Sequence, residues 1–223
     1  MALNRLYILA YFLPLIFVLN SCITENEENV TTIIKTNRIY PTLISTVSDS
    51  EFTIVKSLFA KNNLSLDNLK VYRLLRNKGY HVRCYQYYNF SSSFWGNNLL
   101  ELFTNEMVFN FDTSYNFYSR GGDLINKIGI DVIPKVPKEE ASNLFYNEIN
   151  TDGQQKDSIA SYYQEGFNAE LGIYDLNVGQ SYAQHNFVLC WRITIANNFN
   201  YPQAYVRADS LKLLYYWNGI IIN

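Results

Sequence analysis

Apolar and polar residues alternate along Leu189-Cys190-Trp191-Arg192-Ile193-Thr194-Ile195. Leu189, Trp191, Ile193 and Ile195 fall on one side of an extended chain, and Cys190, Arg192 and Thr194 on the other. Period two marks a strand with one buried face. Ala204, Val206 and Ala208 alternate in the same way with Tyr205, Arg207 and Asp209, and the intervening Asn197-Asn198-Phe199-Asn200-Tyr201-Pro202 is rich in turn formers. The pattern predicts an antiparallel hairpin whose apolar face needs cover. Upstream, Phe167, Ala169, Leu171 and Ile173 alternate against Asn168, Glu170, Gly172 and Tyr174, and downstream Leu211 to Trp217 is a further apolar segment. The expected cover is a helix opening near Pro137. Glu139 and Glu140 suit the positive end of its dipole, and Ala141, Leu144, Phe145 and Ile149 form its apolar stripe. Asn150 to Gly166 reads as a polar connection.

The preceding half repeats the plan. Ser48 and Glu51 have capping-box spacing, and Phe52, Val55, Leu58 and Phe59 recur on one face of a helix ending near Asn62-Asn63. Val71–Arg76 and Tyr80–Tyr87 flank Asn77-Lys78-Gly79, a hairpin turn with glycine where positive φ is easiest. Met107, Phe109 and Phe111 alternate with Glu106, Val108, Asn110 and Asp112. Asp112-Thr113-Ser114 then turns into Tyr115–Tyr118, and Gly121-Gly122 is a further turn. The expected fold class is α+β: two small modules over residues 48–132 and 133–223, each a helix packed on an antiparallel sheet.

Ahead of both stands a targeting segment, residues 1–21. Arg5 supplies the positive start, and Leu6 to Leu19 is an apolar run broken only by Pro14, too short and wrongly flanked for a spanning helix. Leu19-Asn20-Ser21-Cys22 after such a run resembles the lipobox of bacterial lipoproteins. The resemblance implies cleavage before Cys22 and a diacylglycerol thioether on its sulfur. Ile23-Thr24-Glu25-Asn26-Glu27-Glu28-Asn29 is polar and acidic, similar to the surface-export signals of Bacteroidota lipoproteins, and residues 22–47 read as a disordered tether. These resemblances imply a place at the outer membrane or cell surface, with the membrane as partner through the lipid anchor.

Removing Arg5 leaves 17 basic against 20 acidic residues over a mature chain of about 200 residues, a balance that gives no case for nucleic acid as a partner. An exported chain permits a disulfide between Cys84 and Cys190, although two separate packed thiols remain the better expectation. There is no H-E-x-x-H, no G-x-S-x-G and no phosphate-cradling glycine loop, and His81 and His185 are isolated. Asp131, Glu139, Glu140 and Asp175 are scattered carboxylates with no pair to assign as acid and base. The expectation is a protein that is not an enzyme, with no cofactor and no metal site.

Pro134-Lys135-Val136-Pro137-Lys138-Glu139-Glu140-Ala141, then Ala169-Glu170-Leu171, then Leu189 to Ile195, then Ala204-Tyr205-Val206-Arg207-Ala208-Asp209 resembles the PepSY domain of thermolysin-like metallopeptidase propeptides. His81-Val82-Arg83-Cys84-Tyr85-Gln86 is similar to the H-V-R-x-x-Q of the accompanying FTP domain. The chain departs from that pattern at Pro137, where a capping Ser or Thr is usual, and at Arg207-Ala208-Asp209-Ser210, which lacks the usual turn glycine. The resemblance implies an FTP-like domain over 48–132 and a PepSY-like, cystatin-like domain over 133–223, without the peptidase. It also implies a function: a non-catalytic lipoprotein that binds an exported metallopeptidase and inhibits it or assists its folding. The other class of function open to the same chain is a cell-surface binding lipoprotein for a glycan or other extracellular ligand. In either case Arg192, Thr194, Tyr205 and Arg207, on the hairpin face away from the helix, are the expected partner-binding residues.

Cys22 is expected as the first residue of the mature protein, with lipid on its sulfur. Intact-mass spectrometry checks this: a mature N-terminus elsewhere with an unmodified Cys22 thiol refutes it, and Cys22→Ala should move the protein out of the membrane fraction.

Overall fold

The structure, a computed structural model, describes residues 34–90, 99–155, 158–180, 184–196 and 201–219. The targeting segment, Cys22, the tether to residue 33 and residues 197–200 of the predicted turn lie outside the described residues. From Ile34 on, the chain forms one compact unit. In chain order its elements are β1 (Thr36–Ile39), α1 (Asp49–Lys61), β2 (Leu69–Arg76), β3 (Tyr80–Asn89), β4 (Leu99–Phe111) and β5 (Phe117–Gly121). There follow α2 (Lys138–Thr151), α3 (Ile159–Glu165), β6 (Phe167–Asp175), β7 (Phe187–Ile195), β8 (Gln203–Arg207) and β9 (Leu213–Trp217). The class is α+β, and the strands join in one sheet ordered β2-β3-β4-β6-β7-β8-β9, with β5 beside β4 and β1 beside β6. No helix among the described residues is long and apolar enough to cross a membrane.

The expected helices form for the expected reasons. Ser48 caps α1 through a reciprocal capping box with Glu51. Val55, Leu58 and Phe59 are buried against Leu69, Val71, Val82, Met107, Phe109 and Phe111, and the Phe59 ring lies 4.8 Å from that of Phe109. In the β2–β3 turn a Cβ on Gly79 would sit 2.3 Å from the Phe111 carbonyl oxygen, and its φ is +145°, so both space and conformation require glycine. Gln86 works inside the fold. Its amide donates to the Ile125 carbonyl at 2.6 Å, and its oxygen accepts from Ile125 N and Asn105 Nδ2.

The second helix, α2, follows Pro137, which makes no side-chain capping bond. Its Ala141, Phe145 and Ile149 are fully buried against the odd-numbered residues of β6 and β7. Trp191 is 2% exposed, and its indole Nε1 donates to the Val136 carbonyl at 2.9 Å, just before the helix starts. Lys135 N and Val136 N both donate to the Ala208 carbonyl, so the same approach to the helix is tied to the far end of β8.

Three expectations change. The tether read over 22–47 does not stay free throughout: Thr36–Ile39 pairs in parallel with Phe167–Glu170 of β6, and Ile34 is buried in the core. Isolated, this segment has too few apolar residues to signal a strand, and it is the open edge of β6 that orders it. The polar connection from Asn150 to Gly166 contains α3, whose Tyr162 packs on the core and donates to Gln155. The strand ending at Phe111 begins already at Leu99, ahead of the alternation at residues 106–112, because the register shifts between the two parts of β4. Cys84 and Cys190 are both buried and free.

Removing the Trp191 side chain deletes a large core contact and leaves the Val136 carbonyl without its donor. Trp191→Ala is expected to cost about 3–5 kcal/mol, read as a lowered denaturant midpoint at unchanged slope. A midpoint equal to wild type would mean that the strand face is wrongly assigned.

Candidate functional site

Helices α1 and α2 both cover the apolar face of the sheet, so the polar phase of each strand faces the other way. In the second half this phase forms rows across the strands. Asn37, Asn168, Thr194, Gln203 and Trp217 stand opposite one another from β1 to β9. The next row is Ile39, Glu170, Arg192, Tyr205 and Tyr215. The third is Glu101, Gly172, Cys190 and Arg207. Directly opposed residues share a face and touch, so the register alone brings these side chains together.

A buried ion cluster lies at the centre. Arg192 Nη1 donates to Glu101 Oε1 at 3.1 Å, and Nη2 donates to Glu170 Oε2 at 2.5 Å and to Glu101 Oε2 at 3.4 Å. Tyr87 donates its hydroxyl to Glu101 at 2.8 Å. The two carboxylates are 6% and 12% exposed and the guanidinium side chain 25%. The Phe103 ring lies 4.3 Å from the guanidinium and 5.3 Å from the Tyr205 ring. It reaches that position because residue 172 is glycine: a Cβ there would be 2.3 Å from the Phe103 ring and 2.8 Å from the Glu101 carbonyl oxygen.

Burial raises the Glu170 carboxyl, with Arg192 opposing, and Glu101 adds to the rise. Burial disfavours the charge on Arg192, but Glu101 and Glu170 outweigh it and the guanidinium is held still more firmly protonated. Tyr205 is pushed up to about 12 by burial, with Arg192 opposing, and Tyr85 is raised for the same first reason. Burial also raises the thiols, Cys84 to about 12 and Cys190 further. Both sulfurs are therefore neutral and unreactive at ordinary pH.

Above the cluster opens a cavity of about 360 Å³ between β1, β2–β3 and β6–β8. Lys70, Tyr85, Asn168, Thr194 and Gln203 line it, with Glu101, Glu170 and Arg192 as its floor and Ile39 as its aliphatic wall. Stacked rings flank it on one side, Tyr72 on Tyr85 with centroids 4.3 Å apart, and Trp217 with Tyr201 at 4.1 Å lies beyond Gln203.

The four expected partner-binding residues part company here. Arg192 and Thr194 line the cavity. Arg192 is not the free cation expected, because two carboxylates saturate it. Tyr205 packs among Phe103, Tyr174 and Tyr215 rather than standing out from the sheet. Arg207 turns to Asp209, whose carboxyl it lowers to about 2, and lines a separate groove with Lys135, Asp131 and Phe187. Glu101 and Glu170 were the residues to find. Glu170 sits in the polar phase of a strand read correctly, but Glu101 lies in the part of β4 that carries no alternation. His185 has company also: its Nδ1 lies 2.7 Å from Asp175, which accepts from the backbone of Asn177 and Asn186 as well. Among the described residues no three His, Cys, Asp or Glu side chains gather as a metal cluster.

No family model matches the chain, and no curated protein does. Among solved structures it is similar to the YpeB C-terminal domain of Bacillus megaterium, at 12% identity and a TM-score of 0.38, over 78% of this chain and 66% of that one. The chain thus spans just under two thirds of that structure. Such a likeness is coarse, and no residue's role is carried across it.

Arg192→Met would strand Glu101 and Glu170 together in a buried site. Their carboxyls should rise above the unfolded value of about 4.3, so the folded state binds more protons than the unfolded one. Stability is then retained below that value and lost as pH rises through the raised range. The variant is expected to lose about 3–5 kcal/mol near neutrality and clearly less at pH about 4. Denaturant melts at both pH values check this, and an equal loss at both would mean that the cluster is not ionised.

Proposed function

We propose that this protein is a non-catalytic, lipid-anchored binding protein of the outer membrane or cell surface, and that it receives an extracellular ligand on the sheet face away from its helices. The carrying observation is the cavity of about 360 Å³ in that face, polar at its rim and lined on one side by Tyr85 of the stacked Tyr72–Tyr85 pair. Its size lies in the range of small-molecule sites, roughly 300–1,000 Å³. With Lys70 counted beside Arg192, the two carboxylates of the floor are matched by cations of the cavity itself, which suits a preorganised surface more than a reacting group. The thiols nearest to it are buried and neutral, and the motifs of hydrolases are missing from the sequence.

A second reading has its own support. The PepSY-like segments fall on α2, β6, β7 and β8, which pack in one hydrophobic cluster, and the FTP-like segment falls on β3, packed with α1 in the other. On this reading residues 48–132 and 133–223 are two propeptide-like modules, each a helix on its part of the sheet, and the partner is an exported metallopeptidase that is inhibited or helped to fold.

The two readings divide on one substitution. Thr194→Trp fills the cavity from near the C-terminal end of β7, on the polar face of the strand. The detergent-purified protein is expected to bind extracellular glycans and to lose at least tenfold in affinity in the variant, with the melting midpoint unmoved. If instead an exported peptidase is bound at micromolar concentration by wild type and variant alike, the propeptide reading replaces this one. Hydrolysis of any bound ligand would overturn the non-catalytic assignment.

A further inference from the structure

The cavity's charges are already matched. Two carboxylates face two cations, Arg192 and Lys70, and the Arg192 guanidinium is committed to the carboxylates. An ionic ligand would enter without a spare counter-charge and would have to shed its water for no return. Hydrogen-bonding capacity, by contrast, is left over. Among the described residues no hydrogen bond is found for the side chains of Asn168, Thr194 and Gln203, for the Tyr85 hydroxyl or for the Lys70 ammonium, all of which line the cavity. Amides and hydroxyls are donor and acceptor at once. The chemistry that answers such a rim is a set of neighbouring hydroxyl groups.

The arrangement adds direction. Asn37, Asn168, Thr194 and Gln203 stand in one row across β1, β6, β7 and β8, and the row ends at Trp217 of β9, against which the Tyr201 ring packs. Four inter-strand steps span roughly 19 Å, and one step is about the length of a pyranose residue. The stacked Tyr72–Tyr85 pair borders the same cavity. Aromatic rings take the C–H faces of sugars as apolar surface while their hydroxyls bond elsewhere. A peptide fits this less well, since Ile39 is the one aliphatic side chain lining the cavity.

Resting on the ligand-binding reading above, we propose that the row is a subsite ladder for an uncharged oligosaccharide laid across the strands. Asn168, Thr194 and Gln203 hydrogen-bond its hydroxyls, and Trp217 stacks on its end. Lys70 and the Glu101–Arg192–Glu170 cluster hold the floor neutral, which selects against uronates and other charged sugars.

Titration calorimetry on the detergent-purified full protein tests this with two panels of probes: oligosaccharides of glucose, mannose, galactose or xylose, and uronate oligosaccharides of equal length. A neutral oligosaccharide is expected to bind with an affinity that barely changes between low and high salt. Asn168→Ala and Gln203→Ala should each weaken it at least fivefold, and Trp217→Ala should weaken a tetrasaccharide more than a disaccharide, with melting midpoints preserved in the two polar variants. Uronate binding that fades with salt overturns the neutral assignment while leaving the ligand-binding reading in place. Neutral binding untouched by both polar variants overturns the location. If no saccharide of either panel binds at millimolar concentration, the ladder is refuted. Repeating the Thr194→Trp comparison with non-saccharide probes, short peptides and fatty acids, then decides separately whether the face binds any ligand at all.

Discussion

Strand β6 must satisfy two edges, and the rest of the fold follows from how it does so. One edge runs against β7 over its whole length. The other is divided: β1 takes Phe167–Glu170, and β4 takes Gly172–Ile173, both in parallel. A buried backbone edge without partners would leave amides and carbonyls stripped of water, so the division is a requirement rather than an ornament. It joins the strands under α1 to the strands under α2 in a single sheet. It also places Glu101, at the point where β4 arrives, beside Glu170 and Arg192.

The ion cluster is the electrostatic result of that junction. Two carboxylates brought this close under a sheet face would repel, and a single guanidinium between them removes the conflict. Such clusters contribute little net stability compared with apolar replacements, because charges lose water on burial. Their value is in fixing geometry: only one register of β4 against β6 brings Glu101 within reach of Arg192. Gly172 belongs to the same logic, since it lets Phe103 lie flat over the junction.

Much of this was legible from periodicity. The buried faces of β6, β7 and β8, the capping of α1 and the stripe of α2 follow from residues 3.6 or 2 apart, because local geometry decides them. What escaped was non-local. Thr36–Ile39 has no pattern of its own and becomes a strand only because β6 offers an edge. Glu101 lies in a stretch with consecutive buried residues, Leu100 to Leu102, where alternation fails. The polar phase of β7 was read correctly as facing away from the helix, yet its Arg192 looked available because its two partners lie 91 and 22 residues away. Phase tells which way a side chain points, and only the register across strands tells what it meets.

Strand β1 carries a mechanical consequence. From Ile34, the first described residue, the chain runs at once alongside β6 in the same direction. A pull on the preceding segment along the strand axis therefore loads the β1–β6 ladder in shear, so that its bonds share the force instead of opening one by one like a zipper. Ile39, at the end of that ladder, is also a wall of the cavity. Tension arriving from the N-terminal side is thus borne by the backbone beside the cavity, and a molecule lodged against Ile39 would brace the strand that carries the load.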